Sequence, residues 1–299
     1  MIKITFLGTS FAIPTKKRNH TAIFLNYDSE NILIDCGEGT QRQFRKAKLN
    51  PCKLTRIFIT HWHGDHVLGI PGLLQTLSLS GYNKTLHIYG PKGTKKFMKG
   101  ILNTFIFRLD FKIKVEEIEK KRFLEEDDFY VESENMIHGI NCKAYSFVKK
   151  GKVRIDKKKI EKIKKISIEN LKKLKQGKNI THKGKKHLAK NLTFEENDKK
   201  ISFVFDTLLN PKIQKLVENS DLLICGSTFH SKLENEAKKK KHLTAKQAGE
   251  IAKKSKSKKL VLTHISQRYE TSLKELLNDA KRIFKNSSIA EDFDVINVN

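Results

Sequence analysis

Three histidines and an aspartate fall within six residues of the chain, in Thr60-His61-Trp62-His63-Gly64-Asp65-His66. A divalent cation needs several neutral imidazoles and carboxylates converging on one point. Packing alone does not account for this cluster, because each buried imidazole or carboxylate would need its own polar partner. The preceding run, Arg56-Ile57-Phe58-Ile59-Thr60, reads as a strand, and a loop leaving a strand end can turn such side chains to one side. The motif predicts a metal site.

So short a cluster does not complete two cation sites. Four further candidates stand just beyond apolar runs. Asp35 closes Asn31–Ile34 and precedes the tight turn Cys36-Gly37-Glu38-Gly39. It is either a turn residue or the carboxylate that orients a ligand histidine. Asp206 closes Ile201–Phe205, and a carboxylate there can bridge two ions. His138 and His264 follow other apolar runs, as structural histidines or as ligands. Together the set offers enough donors for two ions.

Short runs rich in β-branched and aromatic residues predict the strands that carry these groups. They lie at 2–7, 21–25, 31–37, 56–60, 85–90, 201–206, 221–226, 259–264 and 294–298. Helical periodicity appears at 72–80, 92–102, 244–254 (with Thr244 as N-cap) and 272–284. This alternation predicts an α/β layered fold.

The 299 residues carry 60 Lys+Arg and 33 Asp+Glu, a net charge of +27. The excess is concentrated. Residues 149–190 hold 18 basic side chains and 3 acids, and residues 238–259 hold 10 lysines and 1 acid. Concentrated positive charge is a footprint for a polyanion, most simply nucleic acid, or else a solvated lysine-rich surface. Within 149–190, Ile155, Ile160, Ile163, Ile166, Leu171 and Leu174 have the spacing of one or two amphipathic helices, which predicts a structured basic arm, or else a partly disordered insertion, within a single domain spanning 1–299. No run of eighteen apolar residues predicts a membrane span. The N-terminus lacks signal-peptide features, and Cys36, Cys52, Cys142 and Cys225 show no CxxC spacing, so a reducing cytoplasm is expected.

With these residues in view, the chain resembles a known family. His61-Trp62-His63-Gly64-Asp65-His66 is similar to the metal motif of the metallo-β-lactamase superfamily. More narrowly, Gly8-Thr9, Pro14–Asn19, Asp35–Gln43, Ile59–Leu74, Ile88–Gly93, His242–Thr244 and His264–Tyr269 resemble the tRNase Z family over nearly the whole chain. The resemblance implies an αββα sandwich of the metallo-β-lactamase type with a protruding basic arm. It implies a zinc-dependent endoribonuclease that removes the 3′ trailer from precursor tRNA by two-metal activation of water, leaving a 3′-hydroxyl.

The same resemblance implies that one zinc takes His61, His63, His138 and Asp206, and a second takes Asp65, His66, His264 and the shared Asp206. Manganese or another divalent ion suits the same donors. Asp65 is then the proton acceptor, His242 the proton donor to the leaving oxygen, and Asp35 a support behind the ligands. The arm grips the tRNA body, and Lys16, Arg18, Asn19 and Arg268 are candidate RNA contacts. Arg268 is equally suited to a buried ion pair, and Asn19 to a turn. A homodimer is implied, in which the arm of one subunit serves the other.

Three departures stand out. Gly226 occupies the place of a family glutamate that supports the leaving-group histidine, with Glu234 and Glu236 as possible replacements. Phe205 stands where glycine is common, which requires its ring to enter the core. The arm lacks the usual Gly-Pro dipeptide. Two other functions stay open on sequence grounds: a phosphodiesterase or nuclease with another substrate, and a non-catalytic tRNA-binding relative.

Overall fold

The computed structural model describes residues 1–106, 108–163 and 166–299. Six strands open the chain: β1 (Ile2–Gly8), β2 (Ala22–Tyr27), β3 (Glu30–Ile34), β4 (Arg56–Phe58), β5 (Leu86–Gly90) and β6 (Ile113–Glu117). Then come β7 (Arg122–Glu125), β8 (Phe129–Met136) and β9 (Cys142–Lys149). The basic segment contributes β10 (Val153–Ile155), β11 (Ile180–His182), β12 (Lys185–His187) and β13 (Thr193–Glu195). The chain closes with β14 (Lys199–Val204), β15 (Leu222–Gly226), β16 (Leu260–Thr263), β17 (Ser287–Ile289) and β18 (Val295–Val298).

Among the described residues, two seven-stranded sheets run β18-β1-β2-β3-β4-β5-β6 and β17-β16-β15-β14-β9-β8-β7. They face each other because alternate side chains of their strands are apolar on both faces. Ile2, Ile4, Phe6, Ile23, Leu25, Ile32 and Ile34 meet Tyr145, Phe147, Ile201, Phe203 and Ile224 between the sheets. The intervening residues turn outward. Phe24, Leu33 and Ile57 receive the helix Ile70–Leu79, while Val204, Leu223 and Leu262 receive the helices Pro211–Val217 and Ala245–Lys254. Near-continuous apolar runs follow from strands covered on both faces. The architecture is an αββα sandwich.

Strand direction then places the candidate residues. β3, β4 and β5 are parallel, as are β14, β15 and β16. Their carboxyl ends share one edge, where open parallel sheets present their sites. Asp35 follows β3, His61 lies just past β4, Asp206 follows β14 and His264 follows β16. β8 is antiparallel to β9, and β9 to β14, so the turn after β8 brings His138 to the same edge.

The basic segment is inserted between β9 and β14. β10 pairs antiparallel with β13, so the paired neck runs past residue 190 to Glu195. Beyond it lie the helices Lys157–Glu161 and Ile168–Lys175 and the β11–β12 hairpin, turned by Lys183 and Gly184 at positive φ. Leu174, Ile180, Ala189 and Leu192 form a small apolar cluster here, with Ile160, Ile163, Ile166 and Leu171 against it. Lys164 and Lys165 of this segment lie outside the described residues. No described helix is long and apolar enough to cross a membrane.

Candidate metal centre

Two groups of donors form at the shared edge. In one, His61 Nε2 lies 3.0 Å from His63 Nδ1, which is 3.2 Å from His138 Nε2. Asp206 Oδ2 stands 3.4 Å from His61 Nε2 and 3.7 Å from His138 Nε2. In the other, His66 Nε2 lies 3.1 Å from His264 Nε2, and Asp65 Oδ2 is 3.5 Å from each. Asp206 touches this group as well, with Oδ2 3.6 Å from His66 Nε2 and Oδ1 3.1 Å from His264 Nδ1.

Three of the histidines are held from behind. His66 Nδ1 bonds Asp35 Oδ2 at 2.7 Å, and Asp35 also accepts from the Thr60 backbone N–H at 2.7 Å and its hydroxyl at 2.8 Å. His138 Nδ1 meets the Lys241 carbonyl at 3.1 Å, and His264 Nδ1 meets the Thr228 hydroxyl at 3.2 Å. Asp35 and His264 both take φ of +58°. Side-chain-bearing residues avoid that region, and strain of this kind concentrates at functional sites.

The electrostatics fit a cation. Burial pushes the pKa of His61 and of His264 down, and that of His138 down to about 4. Burial thus favours the neutral imidazole, the form a metal ligand requires. Burial opposes charge on Asp206, but His264 and His242 outweigh it and hold its pKa well below the usual carboxylate range. Burial likewise opposes charge on His66, yet Asp35 and Asp65 outweigh it and hold its pKa well above the ordinary value. A cation between the carboxylates would take the place of that proton. Asp206 Oδ1 and His242 Nδ1 are buried without a hydrogen-bond partner among the described residues. Facing imidazole nitrogens, ionised carboxylates and orphaned donor atoms at one spot suit a divalent metal ion.

Comparison with known proteins supplies the lineage. The chain is 38% identical to the Ribonuclease Z of Methanothermobacter thermautotrophicus, over 100% of this chain and 97% of that one. It is 36% identical to the Ribonuclease Z of Bacillus velezensis, over 98% and 97%. The chain belongs to the ribonuclease Z family. Residues 2–155 also belong to the family described as Anti-Pycsar protein Apyc1. Among solved structures, human tRNase Z, short form, superposes with a TM-score of 0.73 at 28% identity, covering 99% of both chains.

Around the centre of this ribonuclease Z relative, several expected roles change. Arg18 is only 4% exposed and donates through Nη1 to the Thr9 hydroxyl and the Ala290 carbonyl. Its charged head is therefore engaged inside the protein rather than offered to solvent. Asn19 donates its side-chain amide to the Glu38 carbonyl at 2.7 Å, a turn-bracing role. Arg268 forms a two-pronged ion pair with Glu236 over the ring of Phe229. Lys16 remains exposed.

His242 is nearly buried, edge-on to Phe11, with Nδ1 3.6 Å from Asp206 Oδ1. Neither expected substitute carboxylate reaches it: Glu236 is engaged by Arg268 and Lys240, and Glu234 accepts from Gln247. Gly226 itself has no room for a side chain, because a Cβ there would come within 2.7 Å of the Phe205 carbonyl oxygen. Phe205 turns its ring into the apolar layer between the sheets, as its bulk requires. Sequence reading missed Ala12, His20 and Asp292, which brace this region through contacts distant in sequence.

Proposed function

We propose that the chain is a metal-dependent endoribonuclease that removes the 3′ trailer from precursor tRNA. The observation that carries this reading is the pair of donor groups sharing Asp206 in a chain of the ribonuclease Z family. The residues suited to one zinc are His61, His63, His138 and Asp206, and those suited to a second are Asp65, His66, His264 and Asp206. When bound, two such ions clamp the scissile phosphate and make water a nucleophile at neutral pH.

Asp65 takes a proton from the attacking water, with its Oδ2 held by the Ala12 N–H at 2.9 Å. Water attacks phosphorus opposite the 3′-oxygen. The bond from phosphorus to that oxygen breaks, the phosphate stays on the trailer, and the tRNA keeps a 3′-hydroxyl. His242 gives the departing oxygen its proton. The basic segment holds the tRNA body through phosphates and shape, and the exposed Lys16 contacts the RNA backbone. A homodimer working in the cytoplasm completes the reading.

The test is cleavage of a 3′-extended precursor tRNA by purified protein, beside a chelated sample and Asp65→Ala, with product ends mapped. A single metal-dependent cut at the tRNA 3′ end, lost in the variant, is the expected result. Bound metal and bound tRNA without a cut would assign the centre to another phosphoester or leave a non-catalytic binder.

A further inference from the structure

Ala12 adopts a φ of +47°. Such a conformation is unfavourable for a residue with a β-carbon, so its surroundings must impose it. Both polar groups of Ala12 are engaged. Its N–H donates to Asp65 Oδ2 at 2.9 Å, and its carbonyl lies 3.0 Å from His20 Nε2. A carbonyl only accepts, so His20 Nε2 carries the hydrogen.

The loop around Ala12 is pinned at both ends. The Ser10 N–H bonds the Asn19 carbonyl, and the Phe11 N–H bonds the Ile265 carbonyl beside His264. Asp292 accepts from the Thr9 hydroxyl and from the Asn19 N–H, each at 2.7 Å. Inside this frame His20 is 5% exposed. Its β-carbon and the backbone oxygen of Asp65 both crowd Gly37, where no side chain would fit. His20 and the backbone that carries Asp65 are thus packed against the same glycine.

We infer that His20 is a positioning residue for Asp65, acting through Ala12. Its Nε2–H holds the Ala12 carbonyl, which keeps the left-handed turn closed. The closed turn aims the Ala12 N–H at Asp65 Oδ2, the oxygen that also faces His66 and His264. Without the donor, the turn relaxes toward negative φ and the carboxylate loses a bond that fixes its rotation. The inference rests on the reading of Asp65 as proton acceptor.

Two variants of matched shape test it. His20→Gln offers an N–H on a side chain of similar reach, and His20→Met has nearly the same length and no donor. In metal-loaded enzyme, His20→Met should lower kcat on precursor tRNA by about tenfold to a hundredfold with KM within about threefold, and His20→Gln should recover most of it. Zinc affinity, measured by competition with a chromophoric chelator, should fall about tenfold in His20→Met alone. Wild-type turnover and affinity in His20→Met would overturn the inference, and so would equal losses in both variants. If neither variant folds, a ¹⁵N spectrum of the wild-type imidazoles decides, because a His20 with bare Nε2 overturns it. An active Asp65→Ala would instead sink the reading of Asp65. An inactive Asp65→Ala beside an unimpaired His20→Met sinks only the role of His20.

Discussion

His66 hands its Nδ1–H to Asp35 at 2.7 Å, across 31 residues of chain and wholly inside the protein. The contact leaves Nε2 of His66 facing the donor group with Asp65 and His264. Removing Asp35 frees the ring to rotate and leaves the Thr60 donors unmatched. We expect Asp35→Ala to weaken metal affinity by about tenfold to a hundredfold, measured by competition with a metal indicator. Unchanged affinity would show that Asp35 serves the turn alone.

Asp206 is the only residue named in both proposed ligand sets. Its loss should therefore affect both ions, whereas loss of Asp65 should affect one. Metal content after dialysis, measured by mass spectrometry, should fall further in Asp206→Ala than in Asp65→Ala. Equal retention in the two variants would contradict the shared role.

Gly226 is set by the approach of the Phe205 backbone, not by the needs of His242. Gly226→Ala should cost about 1–3 kcal/mol through overpacking, read as a lowered Tm. Gly226→Glu should be worse still and should not speed cleavage. A stable, faster Gly226→Glu enzyme would refute this account.

Burial pushes the Asp292 carboxyl up to about 6, against the opposing bonds from the Asn19 N–H and the Thr9 hydroxyl and the nearby Arg18 charge. The folded protein therefore binds this proton more tightly than the unfolded chain, whose ordinary value is 3.8. The associated stability is full below 3.8 and is lost as pH rises toward 6. The Tm of Asp292→Asn should gain on the wild type as pH rises across that window and then run parallel above about pH 7. A constant offset throughout would mean the group does not titrate there.

Lys172, Lys173 and Lys175 are exposed around the buried Leu174 on the helix Ile168–Lys175. Changing the three to Gln leaves the small apolar cluster intact. The variant should raise KM for precursor tRNA and flatten its salt dependence, with each lost phosphate contact reducing the slope by about 0.7–0.9. Turnover of a small phosphodiester should not change. Equal losses on both substrates would remove the segment from RNA binding.

Much of this protein was legible before folding was considered. The strands from Ile2–Gly8 to Leu86–Gly90, and Lys199–Val204, Leu222–Gly226 and Leu260–Thr263, declared themselves because strands covered on both faces need apolar side chains at successive positions, whereas the short Ser287–Ile289 was missed. β8 and β9 were not legible. Glu132, Glu134 and Asn135 break up the first, and Lys143 and Ser146 the second, so neither forms an apolar run. The neck of the basic segment was also missed beyond residue 190, since β10 and β13 pair across about forty residues and their three-residue strands carry little periodicity.

By itself the sequence determined the local chemistry: His61, His63, Asp65 and His66 lie on one short loop, where spacing in the chain is nearly spacing in space. It also determined the concentration of positive charge. Only the tertiary structure decided which distant groups join that loop, because parallel strands bring Asp35, Asp206 and His264 to one edge and an antiparallel turn adds His138. It likewise decided that Arg18 is inside, bonded to a carbonyl 272 residues away, and that Gly226 meets the backbone of Phe205. Burial and contact belong to pairs of residues remote in the chain, and no property of either residue alone carries them.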